Sequence, residues 1–387
     1  MRNDMFKFGN KQIRIAELCI YSFLILTIIL FLYSYSHILF LVRMAIMILG
    51  ALSSALFVCF KRKGFHLPWL LSFSLLLFWV MSAIGQEHEN LTPTNLLYTM
   101  CYIWLAVVVL RNEYSHKASI AIMAFGLLTI IARILRGVSF NSILLANSSN
   151  YVSILLITLI LFYYISCHDK QKRPWLIPAY LLFFVSIYAT GRGGILCSGF
   201  LSVAMTFYRL QTIKNKNIKR VLWVWIVMVV FITIMYLSDA GKDIMEKFLM
   251  KVFSRFYKKG TLDESRSKIW STFFSNNMRS ARDFFLGSDT QLIRSDGNLH
   301  NSFLQAYASF GFGGFLLIVF LTVRSFLKGI RYKDYLWLIL YFALILRAFT
   351  DRVFFQGYAE FLFFYFLFYW DYRKPSRYPE IIQEMVQ

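Results

Sequence analysis

Apolar runs of roughly 17 to 23 residues, each the length of a bilayer-spanning helix, follow one another along almost the whole chain. They lie near 16–33, 38–60, 67–85, 94–110, 118–135 and 151–166, and then near 174–190, 193–208, 221–238, 302–323, 335–350 and 353–370. The pattern predicts an all-α polytopic membrane protein with about twelve transmembrane helices. Composition agrees, since 58% of the 387 residues are hydrophobic and only 16% are charged. A water-soluble globular protein, a disordered chain and a coiled coil are excluded on these grounds.

The formal charge of +21, from 41 Lys and Arg against 20 Asp and Glu, would suggest nucleic-acid binding in a soluble chain. Here the basic residues fall in short clusters between apolar runs, as expected of loops facing an anionic leaflet, and no nucleic-acid partner is expected. With the N-terminus in the cytoplasm, the inside segments carry Lys61-Arg62-Lys63, Arg111 with Lys117, Lys170-Lys172-Arg173, the Arg209 to Arg220 cluster, Arg324-Lys328-Arg331-Lys333 and Arg373-Lys374-Arg377. The short outside segments hold little charge beyond Glu87, Glu89, Arg136, Arg192, Asp351 and Arg352. Parity therefore places both termini in the cytoplasm.

Cys19, Cys59, Cys101, Cys167 and Cys197 are odd in number and scattered singly, so they build neither a disulfide framework nor a CxxC metal site. The apolar run from Ala16 to Tyr33 follows Arg2, Lys7, Lys11 and Arg14 in the manner of a signal peptide. It is too long for one and lacks a small-x-small cleavage site, so it is read as the first span.

These boundaries divide the chain into an N-terminal bundle over 1–238, a large outside loop over 239–301, C-terminal helices over 302–370 and a cytoplasmic tail over 371–387. Loops of this length are usually functional. Within it, Ile244, Phe248, Leu249, Val252, Phe253 and Phe256 recur at helical spacing among Lys242, Lys247, Lys251, Arg255, Lys258 and Lys259. That is an amphipathic basic helix suited to the membrane surface. A second short helix is expected from about Asp263 to Ser265 through Ile269, Trp270, Phe273 and Phe274, ending before Gly287-Ser288-Asp289.

Polar residues that membrane packing does not explain gather on the outside face. In Thr190-Gly191-Arg192-Gly193-Gly194, glycines around one arginine open backbone N–H groups to an anion, and the guanidinium can clamp a phosphate bidentately. A tight hairpin with Arg192 snorkelling to water fits the same residues. Arg266, at the start of the second loop helix, is placed to reach a phosphate or sugar, or lies on a solvated face. His300 lies where Asn301 or Asn298 can cap the following helix; the dipole there favours the neutral imidazole, which is able to accept a proton from a hydroxyl. An interfacial polar anchor is the alternative. Asp351, in Arg347-Ala348-Phe349-Thr350-Asp351-Arg352, can pair with an arginine and aim it, or simply close a tight loop with an ion pair. No DxD-like motif or His/carboxylate cluster suited to Mg²⁺ or Zn²⁺ occurs on the outside loops, and no metal or other cofactor is expected.

Together, Thr190-Gly191-Arg192-Gly193-Gly194, the Arg266 to Trp270 stretch, His300-Asn301-Ser302-Phe303-Leu304 running into Phe310-Gly311-Phe312-Gly313-Gly314-Phe315, and Asp351 resemble the bacterial O-antigen ligase and Wzy-type polymerase superfamily. The resemblance covers roughly residues 180 to 370. It implies a GT-C-like glycosyltransferase of the inner membrane, acting at the periplasmic face on undecaprenyl-diphosphate-linked oligosaccharides without a metal. It further implies that Arg192, Arg266 and Gly193 form the diphosphate site, that His300 activates the acceptor hydroxyl, and that Asp351 and Asn301 support the centre. Membrane lipids and a chain-length regulator are the other expected partners.

The expected activity is O-antigen polymerisation, a surface-polysaccharide step of lipopolysaccharide biosynthesis. Ligation of the finished glycan to lipid A-core is the alternative, and a polyprenyl-linked glycan flippase or a scaffolding protein are readings of other classes. A transporter would place its site near the bilayer midplane between repeated halves. Here the polar residues gather at one face, and a long loop interrupts the second half asymmetrically.

Overall fold

The computed structural model describes residues 6–8, 11–13, 15–33, 37–60, 67–85, 93–111, 114–139, 142–144, 150–189, 191–211, 264–287, 298–355 and 359–373. The expected span at 221–238, the amphipathic helix over 244–256, Thr190 and the tail beyond Arg373 lie outside them. A short antiparallel hairpin, β1 (Phe6–Phe8) and β2 (Lys11–Ile13), pairs Phe6 with Ile13 ahead of the first helix. The remaining described elements are helical.

The helices are α1 (Ile15–Tyr33), α2 (His37–Phe60), α3 (Leu67–Gly85), α4 (Pro93–Arg111), α5 (His116–Leu135), α6 (Asn150–Asp169), α7 (Ile177–Tyr188) and α8 (Arg192–Gln211). After them come α9 (Glu264–Asn277), α10 (Ala281–Leu286), α11 (Ser302–Arg331), α12 (Tyr335–Thr350) and α13 (Glu360–Tyr372). Among the described residues, seven helices are long and apolar enough to cross a membrane: α2, α3, α4, α5, α6, α8 and α11. The chain thus has the architecture of a multi-pass membrane protein.

The expectation of twelve spans is corrected by this count. The apolar stretches Ile177–Tyr188 and Tyr335–Thr350 form helices of 12 and 16 residues, too short to qualify as spans. The run near 353–370 becomes helical only from Glu360, and α13 has 13 residues. At 1.5 Å per residue that is about 20 Å, against a hydrocarbon core of about 30 Å. An apolar run thus overstates the helix wherever part of it forms an irregular loop.

Two helices make the centre of the bundle. Residues Val152–His168 of α6 and Glu360–Trp370 of α13 are buried around the whole circumference, which is why both are apolar on every face. The aromatics of α13 interlock with their neighbours, Phe363 stacking on Phe354 at 4.2 Å between ring centroids. At one end of the bundle His168 Nε2 meets Asp334 Oδ2 at 2.7 Å and Arg373 pairs with Asp169 at 2.9 Å, tying α6, α12 and α13 together. Asp334 also caps α12 by accepting from Trp337 N.

At the other end the chain is less regular. Gly311 interrupts α11 with φ 64° and ψ −174°, a left-handed conformation that glycine adopts without a Cβ penalty. The carbonyl of Phe285 and the backbone of Leu286, from α10, pack directly against it. Ser82 of α3 donates to the Leu286 carbonyl, and Tyr307 donates to the Phe284 carbonyl at 2.7 Å. The short helix α10 is thereby seated between α3 and the break in α11.

Candidate functional site

The first turn of α11 builds one side of the site. Asn301 is its N-cap, with Oδ1 accepting from Phe303 N at 2.9 Å and Leu304 N at 3.2 Å. Ser302 donates to the Asp351 carbonyl at 3.0 Å and accepts from Val353 N and Phe354 N, so it fastens the loop after α12 to the start of α11. His300, immediately before the cap, has φ 51°, and its N–H donates to Asn298 Oδ1 at 2.9 Å. A left-handed non-glycine residue carries strain of about 1–3 kcal/mol and persists where surrounding contacts enforce it.

That backbone turn aims the imidazole at the end of α12. His300 Nδ1 lies 3.3 Å from Asp351 Oδ1. Asp351 Oδ1 also accepts from Arg352 N at 2.9 Å, while Oδ2 faces Arg347 Nη2 at 3.3 Å. Burial of the Asp351 carboxyl works against its charge, but the His300 hydrogen bond and the Arg347 charge outweigh this and hold it well below the usual carboxylate range. An ionised carboxylate only accepts, so it fixes the proton on Nδ1 and leaves Nε2 as the acceptor of the neutral ring.

Arg266 reaches the end of α12 from α9, and Arg192 opens α8. On α9, Arg266 and Trp270 are four residues apart and share a face. Arg266 Nη1 donates to the Thr350 carbonyl at 2.7 Å and Trp270 Nε1 to the Leu299 carbonyl at 2.8 Å, so α9 straddles the ends of α12 and of the segment before α11. Arg192 is half-buried and opens α8. Next to it Gly193 is buried against α12, where a Cβ would lie 2.5 Å from Thr350 Oγ1 and 3.1 Å from Arg347 Nη1. Glycine lets the N-terminus of α8, the positive end of its dipole, pack against this point.

The structure therefore brings His300, Asp351, Asn301, Arg266 and Gly193 to one end of the bundle, with Arg192 beside Gly193. Arg266 uses part of its guanidinium to cap a terminal carbonyl of α12 rather than projecting wholly from a solvated face. Sequence reading did not assign Arg347, Thr350, Ser302, Asn150 or Ser153 to the site. Arg347 was accessible as an ionisable residue at the end of an apolar run, four positions before Asp351. The contributions of Asn150 and Ser302 depend on backbone groups that carry no residue signature.

Chemically, the site places a carboxylate-oriented imidazole beside cationic side chains and a helix N-terminus. Among the described residues, no three His, Cys, Asp or Glu side chains are grouped so as to hold a metal ion. No protein-family model matches the chain, and no curated protein matches it.

Proposed function

We propose that the chain is an O-antigen polymerase that joins undecaprenyl-diphosphate-linked repeat units at the periplasmic face of the bacterial inner membrane by inverting glycosyl transfer. The observation that carries this reading is the His300–Asp351 pair at 3.3 Å, set at the end of the bundle where Arg266 and the Arg192-Gly193 turn also arrive. A base and a cationic anion site are the two elements such a transfer needs.

In the proposed step, His300 Nε2 takes the proton of the acceptor hydroxyl as its oxygen attacks the anomeric carbon. The bond from that carbon to the phosphate oxygen breaks on the opposite side, and the electron pair leaves with the diphosphate. Arg192 and Arg266 stabilise the developing charge, with the backbone N–H groups of Gly193 and its neighbours closing on the phosphate. Asp351 stays ionised and balances the imidazolium. Lys170, Lys172, Arg173, Lys333 and Arg373 gather at the opposite end of the bundle, which supports this end facing the periplasm.

Glycan profiling of a deletion strain tests this reading. The account expects single repeats on lipid A-core in the deletion, long chains on complementation with the wild type, and single repeats again with His300→Ala at equal protein level. Unattached long chains in the deletion would make the protein a ligase, and long chains from His300→Ala would overturn the assignment.

A further inference from the structure

Arg347 is one of the most completely buried large side chains in the molecule, at 1% exposure, so it does not touch a substrate. Its guanidinium nevertheless reaches α6, the end of α12 and Asp351, and faces Gly193 of α8. Nη1 donates to Thr350 Oγ1 at 3.0 Å and faces the position where Gly193 admits no side chain. Nη2 donates to the Asn150 carbonyl at 3.3 Å, Ser153 Oγ at 3.4 Å and Asp351 Oδ2 at 3.3 Å. Through Asp351 it touches the base, and through Thr350 it touches both the Arg192-Gly193 turn and the carbonyl that anchors Arg266.

We propose that Arg347 is the positioning residue of this centre: one buried guanidinium fixes the distance between the His300–Asp351 pair and the two arginines assigned to the diphosphate. The inference rests on the reading of His300 as the base. A buried charge needs a partner and good geometry to be tolerated, and a plain packing role would be met as well by an apolar residue. The planar fork explains the choice, because it aims donors in fixed directions at α6, α12 and the loop after it, which the point charge of lysine cannot do.

The test uses the full-length protein in proteoliposomes supplied with lipid-diphosphate oligosaccharide, with rates normalised to folded protein. Arg347→Lys should lower kcat by about 10-fold or more, and Arg347→Met by about 10²-fold, the scale of a 1 Å misplacement, with KM for the donor changed less than about 3-fold. Thr350→Val, which keeps shape and removes one acceptor, should lose about 10-fold and carries the test if the Arg347 variants do not fold. The Arg347→Met/Asp351→Asn double variant should be no slower than the worse single variant, because both act through His300.

Wild-type kcat in Arg347→Lys or in Thr350→Val, or losses that multiply in the double variant, would overturn the inference. A purely structural staple would lower the melting temperature and the yield of folded protein while leaving kcat per folded molecule intact. His300→Ala separates the two levels of the argument. If it turns over normally, the base reading fails and takes this inference with it; if it is inactive while Arg347→Lys turns over normally, only this inference fails.

Discussion

Gly193 offers a test in which stability and activity should part. A Cβ added there would lie 2.5 Å from Thr350 Oγ1 and 2.7 Å from Thr350 Cβ, where ordinary contact begins at 3.4 Å. Either α8 or the end of α12 must therefore move by about 1 Å. Overpacking of this kind costs about 1–3 kcal/mol. Alanine in place of glycine within a helix returns about 0.5–1 kcal/mol, so the net loss of stability from Gly193→Ala is at most about 2.5 kcal/mol. A displacement of about 1 Å between the turn bearing Arg192 and the His300–Asp351 pair should lower transfer by about 10²-fold. Gly329→Ala is the control, because its Cβ would lie 2.6 Å from Trp337 Cζ3 at the opposite end of the bundle. The assay measures transfer from lipid-linked donor alongside a melting temperature in detergent. Gly193→Ala with wild-type transfer would refute the reasoning, as would equal inactivation of Gly329→Ala at equal stability.

Arg192→Lys keeps the charge and loses the fork, so transfer should be strongly impaired at normal protein level, and near-normal transfer would return Arg192 to a snorkelling anchor. Asp351→Asn leaves Arg347 buried without its counter-charge and should destabilise the protein by about 3–5 kcal/mol, measured by urea or thermal unfolding in detergent. A depressed carboxyl pKa contributes stability that is fully present above the unfolded value of 3.8 and is lost only as pH falls through the lower folded value. Infrared difference spectra of wild type against Asp351→Asn should accordingly show no protonated Asp351 at pH 5; its appearance between pH 7 and 5 would contradict the Arg347 and His300 contacts. Cysteines placed at 192, 266 and 300 should label from the periplasmic side, and labelling from the cytoplasm would reverse the topology.

The helices were legible because most apolar runs end at a polar or charged segment, which the bilayer excludes. The number of spans was not, since hydrophobicity does not separate a spanning helix from a short helix buried by its neighbours. α13 shows the difficulty: Val353, Phe354 and Phe355 are apolar, yet they form the loop that Ser302 fastens, and the helix starts only at Glu360. Gly311 is equally silent, because a glycine inside an apolar run fits a continuous helix as well as a broken one. At the site, His300, Asp351, Arg266 and Arg192 stood out as polar residues where packing needs none. Their convergence came from tertiary structure, since His300 and Asp351 are 51 positions apart in the chain. Arg347 escaped because an arginine near the end of an apolar run reads as one that snorkels, and only the fold reveals that it points inward.

The central claim is that His300, oriented by Asp351, supplies the base for glycosyl transfer from a lipid diphosphate. It is tested most directly with purified protein in proteoliposomes carrying lipid-diphosphate oligosaccharide, following release of the lipid diphosphate and growth of the glycan, with and without EDTA. The account predicts that the wild type couples the two products one to one in the presence of EDTA, and that His300→Ala, folded and inserted as the wild type, forms neither. Glycan growth by His300→Ala at the wild-type rate would contradict it.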